Sequence, residues 1–315
     1  MSAPRLLLVL SENWTLASPR DLRGLVRLAA EAEQAGIDGV MLSEHVVLGG
    51  SAGELGVMTN PRDYAAPGNQ DPAMPWPSSL ILLGAIAQAT ESLRLVAGAV
   101  IAPLRHPLLL ARELGSLDLL SGGRLVVLPT VSWLAEEYDA LGVPFRQRGD
   151  LLDEHLAAWT ALWRDTPASF DGRHYSFRDV YFEPKAFRNT GPELWLGGAG
   201  MHRRMTERIV RYGAGFNPLG RPSSDQLQRL RDALHAAGRE PGSLELVGGT
   251  RAVFPDPNRP ADLGQALDVI SPQIEQGFTT FCIKPSQFTD DPDDVARVCR
   301  EIIARVSRFE VPAAD

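Results

Sequence analysis

The stretch 93–131, LRLVAGAVIAPLRHPLLLARELGSLDLLSGGRLVVLPTV, decides the fold. Leu93–Ile101 and Arg124–Val131 are short apolar runs rich in β-branched residues, which reads as two strands. Between them Pro107–Leu120 carries a helical pattern with proline at or near its first turn, where a missing N–H does no harm. Strand, helix and strand follow one another almost without spacer, as in a crossover joining two parallel strands. The same unit recurs on both sides. Upstream lie Leu6–Leu10, a helix over Arg20–Ala35 stopped by Gly36, a second strand Gly39–Leu42 and a helix Ser79–Ala89. Downstream, a helix over Arg148–Trp163 precedes strands five to eight at Glu193–Leu196, Gly213–Asn217, Leu244–Val253 and Thr279–Lys284, and Val295–Val306 supplies the last helix. The Gly- and Pro-rich residues 48–77 form a loop insertion after strand two. A short hairpin around Phe170-Asp171-Gly172-Arg173, reaching Phe182, is a second insertion after strand four. Eight such units predict one domain over 1–315, a (β/α)8 TIM barrel. An open doubly wound sheet would show an early glycine-rich nucleotide turn, whereas Ser11-Glu12-Asn13-Trp14 follows strand one.

Composition narrows the partners. The 315 residues are 44% hydrophobic and 22% charged, enough to bury a core, and the net charge of −8 disfavours nucleic acid and anionic membrane surfaces. Cys282 and Cys299 share no metal or redox spacing and read as packing residues of a reducing, cytoplasmic compartment. The apolar run within Met1–Leu10 is too short for a signal peptide or a membrane span, and reads as the first strand. A small-molecule substrate is the expected partner.

In such a barrel, function gathers where strands end. Ser43, Glu44 and His45 place hydrogen-bonding and titratable groups after strand two, with His45 and Glu44 as candidate catalytic groups. Gly98, Ala99 and Val100 make a small-residue surface that either backs a flat ring or fills the barrel taper. After strand four, Thr130 and Ser132 offer hydroxyls beside Trp133, and Pro129 predicts a bulge. Gly197-Gly198-Ala199-Gly200 is a turn before a helix carrying His202, Arg203 and Arg204, suited to a phosphate or to packing alone. Asn217 and Arg251 end strands six and seven, within reach of the same ligand. Asp153-Glu154-His155 reads as a solvated helix face. No nucleophile elbow, zinc helix or Walker loop is present, so hydrolase and metalloenzyme chemistry lack machinery and no metal is expected.

An ordered set of motifs resembles the bacterial luciferase-like family of flavin- and deazaflavin-dependent oxidoreductases. It includes Pro103-Leu104-Arg105-His106-Pro107, Ser121-Gly122-Gly123-Arg124, Glu136-Glu137-Tyr138, Leu141-Gly142-Val143-Pro144-Phe145, Phe182-Glu183-Pro184-Lys185, Trp195-Leu196-Gly197-Gly198 and Gly215-Phe216-Asn217-Pro218, with Ser43-Glu44-His45 resembling the strand-two signature. The resemblance covers about residues 5 to 250. It implies a metal-free barrel holding a ring cofactor at its mouth, coenzyme F420 first and FMN as its rival. It further implies that His45 moves a proton beside the transferred hydride, that Ala99 and Val100 back the ring, and that Gly197 and Gly198 hold phosphate. Members are often homodimers. One departure stands out: Leu128-Pro129-Thr130-Val131-Ser132-Trp133 replaces the alternating glycines usual at the end of strand four. Three functions therefore stay open: hydride transfer with F420, an FMNH2-dependent monooxygenase served by a flavin reductase, and a non-catalytic binder whose mouth is obstructed by Leu128 and Pro129.

Overall fold

A computed structural model of the chain describes residues 3–311. Its elements in chain order are β1 (Arg5–Val9), α1 (Leu22–Ala35), β2 (Gly39–Leu42), α2 (Ser79–Ala89), β3 (Arg94–Ile101), α3 (Pro107–Leu120), β4 (Leu125–Thr130), α4 (Ala135–Ala140), α5 (Arg148–Arg164), β5 (Ala168–Asp171) and β6 (Ser176–Val180). There follow β7 (Glu193–Leu196), α6 (Arg203–Tyr212), β8 (Gly215–Phe216), α7 (Ser224–Ala236), β9 (Glu245–Gly249), α8 (Leu263–Leu267), α9 (Ile270–Glu275), β10 (Thr280–Ile283) and α10 (Val295–Val306). Eight of the strands pair in parallel and close a barrel in the order β1, β2, β3, β4, β7, β8, β9, β10 and back to β1, which is the expected (β/α)8 architecture. The insertions fall where the sequence places them: residues 48–77 link β2 to α2, and β5 pairs antiparallel with β6 as a separate hairpin.

Strand periodicity sorts the side chains into two cores. Leu7, Val9, Met41, Val96, Val126, Leu128, Trp195, Val247 and Cys282 fill the barrel lumen. Their neighbours, among them Leu6, Leu8, Val40, Leu42, Leu95 and Val127, face outward against the helices, where Cys299 of α10 also packs. The layer at the strand starts is charged instead. Arg94 pairs with Glu193 at 2.6 Å and Glu245 at 2.8 Å, Arg5 reaches Glu245 at 3.2 Å, and the Arg94 guanidinium stacks 4.9 Å over the Trp195 ring. These pairs close the lumen at the end opposite the expected site.

Three local expectations change. Strand six contracts to β8, although its flanks still ladder, Ala214 N–H to Leu194 O at 2.7 Å and Asn217 N–H to Leu196 O at 2.9 Å. Strand seven stops at Gly249, because beyond Thr250 the chain turns outward and exposes Arg251. The irregularity expected at Pro129 lies on the neighbouring strand: the β3–β4 register shifts between Gly98 and Val100, leaving Ala99 as the extra residue opposite Leu128 and Pro129.

Asp153-Glu154-His155 is not a solvated face. Arg204 and Arg208 from α6 both bind Asp153, and Glu154 accepts the backbone N–H groups of Arg173, His174 and Tyr175 in the hairpin turn. His155 is fully buried, its ring nitrogens 2.7 Å from Leu151 O and 2.9 Å from Arg105 O, with the Tyr175 ring 5.1 Å away edge-on. Helical spacing marks a face; the hairpin and α6 cover it.

Candidate active site

The Ser43-Glu44-His45 triplet follows the end of β2, and its contacts send Glu44 and His45 to different partners. Met41 points into the lumen, so Ser43 and His45 continue toward the mouth while Glu44, in step with Leu42, turns outward. Glu44 is buried against α2 and the start of the next unit: its carboxylate accepts Ile101 N–H at 2.8 Å and both Arg105 guanidinium nitrogens at 2.7 and 2.9 Å. All its strong acceptor positions are engaged away from the mouth. The expected catalytic Glu44 is therefore an internal brace that fixes the backbone before His45.

The carboxylate that does meet His45 is Glu137, on α4. It is wholly buried and gathers three donors: Val46 N–H at 2.8 Å, the Ser132 hydroxyl at 3.0 Å and His45 Nδ1 at 3.0 Å. A carboxylate facing Nδ1 holds the proton on that nitrogen and leaves Nε2 as the acceptor. No partner for Nε2 occurs among the described residues. Trp76 from the insertion and Trp133 stand edge-on to the imidazole, with ring centroids 5.0 and 6.1 Å away. The result is an imidazole oriented by a buried carboxylate within an aromatic collar. In the sequence Glu137 stands within the Glu136-Glu137-Tyr138 motif, and its place at the start of α4, directly after the segment that ends β4, is the signal that links it to the mouth.

The other expected residues divide. Ala99 packs against the lumen cluster and faces the mouth, while Val100 lies in the outer core, so only Ala99 can back a ring. Thr130 follows Val126 and Leu128 on the inward register. The Ser132 hydroxyl belongs to Glu137, and Ser132 itself takes a φ of 56°, a strained conformation that aims it there. Gly197 is dictated by packing: a Cβ there would collide with the carbonyl oxygen of Asn217 on the adjoining strand end. Gly198 is half-buried, Ala199 and Gly200 are exposed, and a Cβ on Gly200 would meet open space. Past this turn, His202 caps α6 by accepting Met205 N–H at 3.3 Å, Arg203 pairs with Glu207 and Arg204 with Asp150. The Asn217 amide reaches Val247 O at 3.5 Å, along the same rim.

Three further titratable groups, Glu12, Lys284 and Tyr64, stand at the mouth and carry no local signal in the sequence. Glu12, after β1, is buried with a φ of 56° and receives the Gln70 amide at 3.3 Å. Lys284, after β10, is fully buried. Tyr64 from the insertion packs on the lumen cluster, and burial, with nearby Cys282 and Glu12, pushes its phenol above its ordinary range. Lumen, small residue, aromatic walls and exposed turn together suit a planar ring with a phosphate tail. A cavity of about 660 Å3 lies at the opposite end among Arg5, Arg94, Glu193 and Glu245, away from His45. Its charges are largely paired with one another.

The comparisons show the family and the fold. The family model for luciferase-like monooxygenases matches residues 5–281, and the chain belongs to that family. It is 24% identical over 309 residues to an F420-dependent glucose-6-phosphate dehydrogenase of Kineococcus radiotolerans, covering 92% of this chain and 80% of that one. It is 30% identical over 135 residues to an FMNH2-dependent dimethylsulfone monooxygenase of Pseudomonas putida, covering 42% of this chain and 37% of that one. The crystal structure of the monooxygenase RslO1 from Streptomyces bottropensis shares the fold with a TM-score of 0.70 at 21% identity, covering 96% of this chain and 98% of that one. Relatives of the chain thus include an F420-dependent dehydrogenase and an FMNH2-dependent monooxygenase. No described helix is long and apolar enough to cross a membrane.

Proposed function

We propose that the chain binds a phosphate-bearing ring cofactor at the barrel mouth, F420 in the first place, and moves a hydride between it and a small organic substrate. The observation that carries this reading is His45, held by buried Glu137 through Nδ1 with Nε2 open between Trp76 and Trp133. When bound, the cofactor supplies the hydride chemistry. The residues supply the rest: His45 takes or returns the proton at Nε2, Glu137 fixes its tautomer, Ala99 and Thr130 line the ring position, and the exposed Ala199-Gly200 turn offers backbone N–H groups to phosphate. Glu44 acts only through the brace with Arg105.

The likeness to the sulfone monooxygenase favours a second reading, in which reduced FMN from a partner reductase activates oxygen in the same pocket. Fluorescence titration of the purified chain with F420 and with FMN separates the two. Tight binding of F420 supports the first reading. Binding of FMN alone overturns it, and binding of neither ring leaves a non-catalytic barrel. A homodimer is part of the proposal, checked by light scattering.

A further inference from the structure

The chain has 29 arginines and only two lysines, Lys185 and Lys284. Lys185 donates to the carbonyls of Leu162 and Asp165 at 2.8 and 2.6 Å, away from the barrel mouth. Lys284 is fully buried in the mouth, in register with lumen-facing Cys282. Its Nζ lies 5.5 Å from the Tyr64 ring centroid and donates to the carbonyl oxygen of Asp63 at 2.7 Å, the one acceptor found for it among the described residues. The titratable groups around it are Glu12 after β1, Asp63 and Tyr64 of the insertion and Cys282 of β10, while His45 acts on Glu12 and Arg251 on Tyr64.

An ammonium ion with one neutral acceptor in so dry a place is costly. Burial accordingly lowers the Lys284 amine from its ordinary value, against the pull of Glu12 and Asp63. Burial likewise raises the Glu12 carboxyl, against Lys284 and His45. The site therefore tends to neutrality while the insertion covers it. Lysine can shed its proton there and arginine cannot.

We propose that Lys284 anchors a carboxylate group of the substrate, which replaces the Asp63 carbonyl when residues 60–64 lift from the mouth. This rests on the mouth being the active site. A carboxylate oxygen has the planar acceptor geometry of the carbonyl it displaces, and Glu12 as an acid can donate to the second oxygen. Its arrival recharges the amine: one proton enters from solvent and an ammonium–carboxylate pair forms. Residues 60–64 are latched from outside the lumen. Arg62 holds Asp290 at 2.9 and 2.5 Å, and the Asn60 amide donates to Asp256 O and Arg259 O at 3.2 and 3.0 Å.

Calorimetric titration of the full chain with acetate, benzoate and inorganic phosphate, in buffers of different ionisation enthalpy, reads affinity and proton uptake together. A carboxylate is expected to bind with net proton uptake. Lys284→Met should weaken it at least about tenfold, or about 1.4 kcal/mol, and abolish the uptake, while F420 or FMN binding is unchanged. Arg62→Ala keeps Lys284 and loosens the latch, so it should bind carboxylate several-fold tighter with the same uptake. Equal carboxylate affinity in Lys284→Met, binding without proton uptake, binding of phosphate alone, or unchanged affinity in Arg62→Ala each overturns the anchor. Carboxylate binding with uptake in a chain that binds neither ring cofactor keeps the anchor and overturns the functional reading instead.

Discussion

Replacing Glu137 by Gln tests the central contact of the site while leaving its shape nearly intact. Glu137 offers two carboxylate oxygens to three donors, Val46 N–H, the Ser132 hydroxyl and His45 Nδ1. A glutamine keeps one acceptor oxygen and turns two donors toward the same groups, so Nδ1 of His45 loses its charge-assisted partner. A hydrogen bond to a charged group contributes about 1.5–3 kcal/mol, which corresponds to a roughly 10- to 150-fold preference for the tautomer protonated on Nδ1. The assay needs no substrate. With only six histidines, 15N-labelled imidazole resonances of the ligand-free chain can be assigned by single replacement, and their shifts report which nitrogen carries the proton. The native chain should show His45 almost wholly in the Nδ1-protonated form, and Glu137→Gln should show a mixture or the reverse. Stability should fall by about 1–3 kcal/mol, because a buried donor is left unmatched. An unchanged His45 tautomer in the variant would refute the claim that Glu137 orients the base, whatever happened to stability.

Three other outcomes follow from the same contacts. Glu44→Gln should destabilise the chain by about 2–4 kcal/mol in urea, short of the full value for a buried pair because Arg105 keeps some solvent access; unchanged stability with lost activity would restore Glu44 as a catalytic group. Gly200→Asp introduces a negative charge on the exposed turn without a steric clash, and should weaken FMN binding at least about tenfold while leaving riboflavin, which lacks the phosphate, unaffected. Burial lowers the His155 imidazole from 6.5, its two carbonyl contacts opposing, so the unfolded chain binds the extra proton first and stability is lost as pH falls below about 6.5. Urea midpoints at about pH 7.5 and about pH 5.5 should diverge more for the native chain than for His155→Gln, and equal drops would contradict an imidazole lowered by burial.

Much of this molecule was legible in its sequence because the signals are local. Short apolar runs at Leu6–Leu10 and Gly39–Leu42, helical spacing in Arg20–Ala35 and the glycine that stops it mark strand–helix units that recur along the chain, and parallel strands joined by crossovers leave few ways to close. Period two also says that Glu44 cannot face the same way as Ser43 and His45. It does not say which side is the lumen, and Arg105 and Ile101 settled that by claiming Glu44. Ala99 and Val100 parted for the same reason, across a bulge whose extra residue lies opposite Pro129, a residue with no N–H to give the ladder.

Closure of the barrel decided what no local pattern can carry. It brought Glu12 and Lys284, near opposite ends of the chain, to adjoining strand ends, because β1 pairs with β10. It placed α4 so that Glu137, an ordinary acidic residue in an acidic helix start, became the buried partner of His45. It let the 48–77 insertion fold back over the mouth with Tyr64 on the lumen and Asp63 on Lys284. Burial and charge pairing are properties of neighbours in space, and residues far apart in sequence acquire them only when the ring is complete.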